Sequence, residues 1–199
     1  MPRNVAILLF DEVEVLDFAG PFEIFSVTGR RDEGEPPFNV YTVAEKPGTI
    51  SARNNLIVQP HYTIDTCPKP DLIVIPGGYG TRREMKNPVL VEWVKRQHEQ
   101  TELTLSVCTG ALVLGTAGIL DGLQATTHYG SYDLLAEVAP QTTVIRGVRY
   151  VDNGKVITSA GVQAGMDMAL HVVARLLGED KARETAHYIE YVWEPQPQL

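Results

Sequence analysis

Cysteine is scarce in this sequence. Only Cys67 and Cys108 occur in 199 residues. Two are too few for a disulfide framework and lack the spacing of a metal site. Long hydrophobic runs are missing too: the apolar stretches, such as residues 72–75, fall far short of the roughly 20 residues of a membrane-spanning helix. Positive charge is in deficit, with Lys plus Arg at 17 against Asp plus Glu at 25, a net charge of −8 and no dense basic run. Such a chain is a poor match for a phosphate backbone, so neither nucleic acid nor membrane is expected as a partner. An export signal is not evident: Arg3 precedes a short apolar stretch that Asp11 and Glu12 interrupt at once. The expected compartment is a reducing cytoplasm, where a free thiol persists and can act as a nucleophile.

What is present is ordinary globular composition, 44% hydrophobic and 21% charged. No internal repeat or break in composition divides it. One domain over residues 1–193 is expected, with a polar, Pro-rich, flexible tail at 194–199. Residues 5–10, 39–43, 71–76 and 103–107 are short, nearly continuous apolar runs. That pattern suits parallel strands covered on both faces. Asp152-Asn153-Gly154, between residues 148–151 and 155–158, is a hairpin signal, because Asn and Gly tolerate positive φ. A small antiparallel excursion is expected around Asn54-Asn55. Helices are expected at 21–28 with Pro21 in the first position, and at 89–100 after Asn87-Pro88. Others are expected at 109–117, 130–138, 162–177 and 180–191; the run 162–177 is apolar at helical spacing and stopped by Gly178. Strands alternating with helices predict an α/β domain with a mainly parallel sheet.

Several residues could carry chemistry. Cys108, in Ser106-Val107-Cys108-Thr109-Gly110-Ala111, falls where a buried strand gives way to a helix. A thiol there lies near unpaired N–H groups and the positive end of the helix dipole, which favour thiolate; a buried structural cysteine is the plainer reading. Gly77-Gly78 follow the third strand and should face the same crevice, since ligands bind beyond the carboxyl ends of parallel strands. Their amides, with that of Thr109, could form an oxyanion hole, or the pair could simply make a tight turn. Asp17 has apolar neighbours that would raise its pKa and let it carry a proton, but the local sequence favours a cap on the helix near Pro21. His128, in Ala125-Thr126-Thr127-His128-Tyr129, could pair with Cys108 or be a hydrogen-bonded scaffold residue.

These segments resemble the DJ-1/PfpI superfamily, relatives of class I glutamine amidotransferases. The resemblance rests on Leu16-Asp17-Phe18-Ala19-Gly20-Pro21, Ile75-Pro76-Gly77-Gly78, Ser106-Val107-Cys108-Thr109-Gly110-Ala111 and Ala125-Thr126-Thr127-His128, and runs to about Leu177. Asp at position 17 and Thr after the cysteine are similar to its isocyanide (isonitrile) hydratase branch. The resemblance implies a flavodoxin-like three-layer sandwich, a homodimer, and no metal or organic cofactor. It implies Cys108 as nucleophile with Asp17 beside it, and Gly78 and Thr109 as the local amide environment. The family's proteases carry His after the cysteine, where this chain has Thr109. The late His-x-Glu pair of amidotransferases is replaced by Ala160-Gly161-Val162-Gln163-Ala164. Some relatives fuse this domain to a DNA-binding module of the AraC type, and no such module is expected here. The implied activity is hydration of an isocyanide to an N-substituted formamide through a thioimidate on Cys108. The alternatives are a glyoxalase-like enzyme on reactive aldehydes, or a non-enzymatic redox or small-molecule sensor.

Overall fold

The computed structural model describes residues 1–30 and 34–195, so residues 196–199 of the expected tail lie outside the described residues. The strands are β1 (Arg3–Leu9), β2 (Phe38–Ala44), β3 (Ile50–Ser51), β4 (Ile57–Val58), β5 (Tyr62–Thr63), β6 (Leu72–Ile75), β7 (Leu103–Val107), β8 (Gln124–Ala125), β9 (Thr143–Val144), β10 (Tyr150–Asp152) and β11 (Val156–Ser159). The helices are α1 (Val15–Val27), α2 (Thr81–Glu84), α3 (Pro88–Gln100), α4 (Gly110–Thr116), α5 (Tyr132–Val138), α6 (Ala164–Leu177) and α7 (Glu179–Tyr188).

Seven strands form the central sheet in the order β10-β11-β7-β6-β1-β2-β5. All neighbours pair in parallel except β10, which is antiparallel to β11 across the Asn153-Gly154 turn. Strands β6, β7 and β11 are buried along their whole length. The continuous apolar runs thus mark strands that face helices on both sides, α1, α6 and α7 as one packed group and α2, α3, α4 and α5 as the other. The excursion at Asn54-Asn55 is the small antiparallel pair β3–β4.

Two departures from the expected elements matter for the site. Helix α1 begins at Val15, so Pro21 lies inside it. Glu14 N–H donates to the Gly77 carbonyl at 2.9 Å, and Val13 bridges Gly78, which fixes where the helix starts. Asp17 therefore belongs to the first helical turn and is no N-cap; Glu14 holds that position. Pro21 has no N–H to give the carbonyl four residues earlier, which is that of Asp17. His128 leads into a short 3-10 turn, Tyr129–Ser131, before α5 starts at Tyr132.

Candidate active site

Strands β1, β6, β7 and β11 run in parallel, so the segments after Leu9, Ile75, Val107 and Ser159 emerge at one rim of the sheet. Register sets them side by side: Ile75 pairs with Ser106 and Ser159 with Val107. Cys108 is the first residue past β7 and has φ 55°, a left-handed conformation unusual for a side chain other than glycine or asparagine. Its N–H is shared between the carbonyls of Ser159 and Ala160, each at 3.2 Å, and its own carbonyl accepts from Thr127 Oγ1 at 2.7 Å. Gly110 allows the chain to turn so sharply, because a Cβ there would stand 2.0 Å from the Ile75 carbonyl oxygen.

Asp17 is fully buried. The Gly77 N–H donates to its Oδ2 at 2.9 Å, while Oδ1 is buried without a hydrogen bond of regular geometry. Burial pushes this carboxyl up to about 7; the Gly77 donor opposes that shift, the charge of Glu14 adds to it, and the adjacent Cys108 thiol opposes it. Cys108 is 6% exposed. Burial, then the charge of Asp17, pushes its thiol up to about 12, against the N–H groups of Thr109 and Val162 that point at the sulfur. Desolvation and the neighbouring carboxylate thus oppose the thiolate that the amide groups at the start of α4 favour.

The expected oxyanion donors are engaged elsewhere. Gly77 N–H holds Asp17, and Gly78 N–H donates to Thr109 Oγ1 at 3.0 Å. The Thr109 hydroxyl also lies 3.0 Å from Thr81 Oγ1, so the two glycines and two threonines brace the acid and the cysteine turn. Gly78 itself has φ 122°, and a Cβ there would meet the Glu12 carbonyl oxygen at 2.3 Å. His128 reaches the same cavity, yet no hydrogen bond among the described residues joins it to Cys108. Its Nδ1 accepts from Gly130 N–H at 3.2 Å, and its ring lies against Tyr129.

Above the sulfur opens a cavity of about 280 Å³, lined by Cys108, Thr109, Gly78, His128 and Val162, with Glu14, Arg53, Tyr79, Arg82, Gly130 and Ser131 around it. A larger groove of about 810 Å³ runs past Asp11, Glu45, Lys46 and Arg83, but it contains neither cysteine nor histidine. Among the described residues, no group of three or more His, Cys, Asp or Glu side chains is placed to hold a metal ion, and no helix is long and apolar enough to cross a membrane. The sequence reading missed Val162, Arg53, Tyr79 and Arg82. Val162 had a usable signal, since it follows Gly161 just past β11 at the same rim. Arg53 comes from the β3–β4 excursion, far from the other site residues in the chain.

Over residues 3–175 the sequence matches the DJ-1/PfpI family. It is 33% identical over 195 residues to an isonitrile hydratase of Pseudomonas putida, covering 98% of this chain and 81% of that one. It is 28% identical over 182 residues to the HTH-type transcriptional regulator CdhR of Pseudomonas aeruginosa, covering 92% of this chain and 53% of the regulator, so it spans about half of that protein. The solved structure of a ThiJ/PfpI family protein from Pseudomonas syringae has a TM-score of 0.86 and 28% identity, over 100% of this chain and 78% of that one. A family match across most of the chain, with the same fold in a solved relative, means that this protein belongs to the DJ-1/PfpI family.

Proposed function

We propose that the protein is a cysteine-dependent enzyme that hydrates an isocyanide to an N-substituted formamide. The observation that carries this reading is the buried Asp17 carboxyl, titrating near neutral pH, next to the Cys108 thiol at the floor of a small cavity. An isocyanide reacts at its terminal carbon, which must receive a nucleophile and a proton on the same atom. A thiol with an adjacent proton carrier supplies both.

In the first step the Cys108 sulfur bonds to the terminal carbon. The thiol proton passes through Asp17 to that carbon, leaving an N-substituted thioimidate. Water then adds across the C=N bond, its OH to the carbon and a proton to the nitrogen; the C–S bond breaks as the proton of that OH passes through Asp17 to the sulfur, releasing the formamide and the thiol. Atoms balance without change of oxidation state, and no cofactor enters. The Thr109 and Val162 amides stabilise the sulfur as it leaves, while Gly77 and Gly78 hold Asp17 and Thr109 in position. His128, with Nδ1 accepting from Gly130, has its other nitrogen available to the substrate or the attacking water. A homodimer in the cytoplasm is the state in which we expect it to act. The identity to the Pseudomonas putida isonitrile hydratase over nearly the whole chain supports the reaction class.

Two rivals use the same groups. A reactive aldehyde could take the same thiol, giving a glyoxalase-like enzyme. The likeness to CdhR, a transcriptional regulator by name, favours a ligand-binding role without turnover. A peroxide-sensing role would use the same thiol, and with Cys108 only 6% exposed it offers peroxide little access.

The test is formamide release from an aryl isocyanide, with an aldehyde run in parallel. Cys108→Ala should abolish turnover, and Asp17→Asn should slow it by about 10²–10⁴-fold. Equal turnover by the wild type and Cys108→Ala removes the nucleophile from the proposal. Ligand binding by wild type with no turnover of either substrate supports the sensor.

A further inference from the structure

The cavity contains a cation that the proposed chemistry does not use and that no carboxylate among the described residues neutralises. Two arginines line it. Arg53 is neutralised: its guanidinium lies 3.0 Å from Glu12 and 3.9 Å from Glu14, and it stacks over the Tyr79 ring. Arg82 meets only neutral groups. Its Nη1 donates to the Gly78 carbonyl and to Thr81 Oγ1, both at 3.3 Å, and its Nη2 donates to Ser131 Oγ at 3.1 Å. No carboxylate among the described residues pairs with it, and the remaining N–H groups of its fork have no protein acceptor. Half-buried, it is held by its neighbours without being neutralised by them.

Nor is this cation committed to the sulfur. The groups that act on the Cys108 thiol are Asp17 and the amides of Thr109 and Val162. The addition of thiol and then water to an isocyanide builds no lasting negative charge that would call for a guanidinium. The charge therefore serves a part of the substrate remote from the reacting carbon. The protein as a whole carries −8, which repels anions at long range. That field is screened beyond about 10 Å, whereas a guanidinium in contact with an anion in a narrow cavity is not.

We infer that the substrate carries a carboxylate, held by the free N–H groups of Arg82 while its electrophilic carbon meets Cys108. A planar fork matches a carboxylate bidentately, which gives orientation as well as affinity. A cavity of about 280 Å³ limits the remainder to roughly one small ring or a short chain. This rests on the reading of the cavity as the substrate site of the hydratase.

Two measurements separate the inference from that reading. In the first, unreactive benzoate and its neutral isostere benzamide are compared for protection of Cys108 from iodoacetamide, followed on the Cys108 peptide so that Cys67 does not interfere. Benzoate should slow alkylation of the wild type more than benzamide does. Arg82→Gln should lose the difference, and Arg82→Lys should keep part of it. In the second, kcat/KM is compared for 4-isocyanobenzoate and phenyl isocyanide. The ratio should favour the carboxylate by about tenfold and fall toward one in Arg82→Gln. Equal protection by benzoate and benzamide in the wild type overturns the inference, whatever the turnover. A ratio unchanged by Arg82→Gln, with both rates lowered together, also overturns it and leaves Arg82 only bracing the Gly78 loop. Benzoate protection that depends on Arg82, with no isocyanide turned over, upholds the anion site and sinks the hydratase.

Discussion

Asp17 concentrates the tension in this molecule. Its carboxyl is buried, with one oxygen lacking a hydrogen bond of regular geometry, and burial raises its pKa. The same burial has a cost in stability that depends on pH. In the unfolded chain this acid titrates near 3.8 and in the folded protein near 7. Between these values the native state binds more protons, so folding stability falls as pH rises through that window and levels off above it. The contribution is about 2–4 kcal/mol. Asp17→Asn should abolish this part of the pH dependence. Urea denaturation at pH 5 and pH 8 should show the variant gaining on the wild type by that amount at the higher pH. An equal gap at both values would mean that the carboxyl titrates normally in the native state. The sequence suggested burial here through Val15, Leu16 and Phe18, but favoured a helix cap. Which was right depended on where α1 began, and the contact of Glu14 with the Gly77 carbonyl decided that.

At the scale of elements, the turn from β7 into α4 sets the position of the sulfur. A residue with φ 55° directly after a fully buried strand stores strain that the surrounding hydrogen bonds hold in place. Gly110 is where the turn has least room. Gly110→Ala would drive a methyl group into the Ile75 carbonyl, which belongs to the neighbouring strand and cannot swing aside. Thermal and chemical denaturation should show a loss of at least about 2 kcal/mol. Alkylation of Cys108 should change as the turn is displaced. An unperturbed variant would show that the two backbones can separate freely. The Cys-Thr-Gly-Ala string announced a tight strand-to-helix turn, and the turn is there. The amides that favour its thiolate are visible locally, while the desolvation that opposes them comes from the whole fold. Similarly, Gly77 and Gly78 were legible as a turn at the rim. Their amides were not legible as already engaged, since the partners are 60 and 31 residues away in the chain.

For the whole molecule, the exposed apolar residues offer a test of assembly. Leu56 and Ile57, adjacent in the β3–β4 excursion, are 46% and 60% exposed. The same excursion carries Arg53 into the cavity. If the protein is a homodimer, light scattering should give twice the 21.9 kDa of the chain. A monomer at micromolar concentration would refute the assembly and leave the site of one subunit to act alone.

The order of strands and helices followed from the chain itself, because continuous apolar runs can be satisfied only where a sheet is covered on both faces, and helical spacing marks the covers. That Cys108 and Asp17 lie near the rim of the sheet was legible in the same way, from their places beside such runs. Packing across the sheet decided the rest: the burial of Cys108 against Asp17, the engagement of the glycine amides, and the meeting of Val162, Arg53 and Arg82 around one cavity. Desolvation and hydrogen-bond saturation are sums over neighbours distant in the chain, so they exist only once the strands lie side by side.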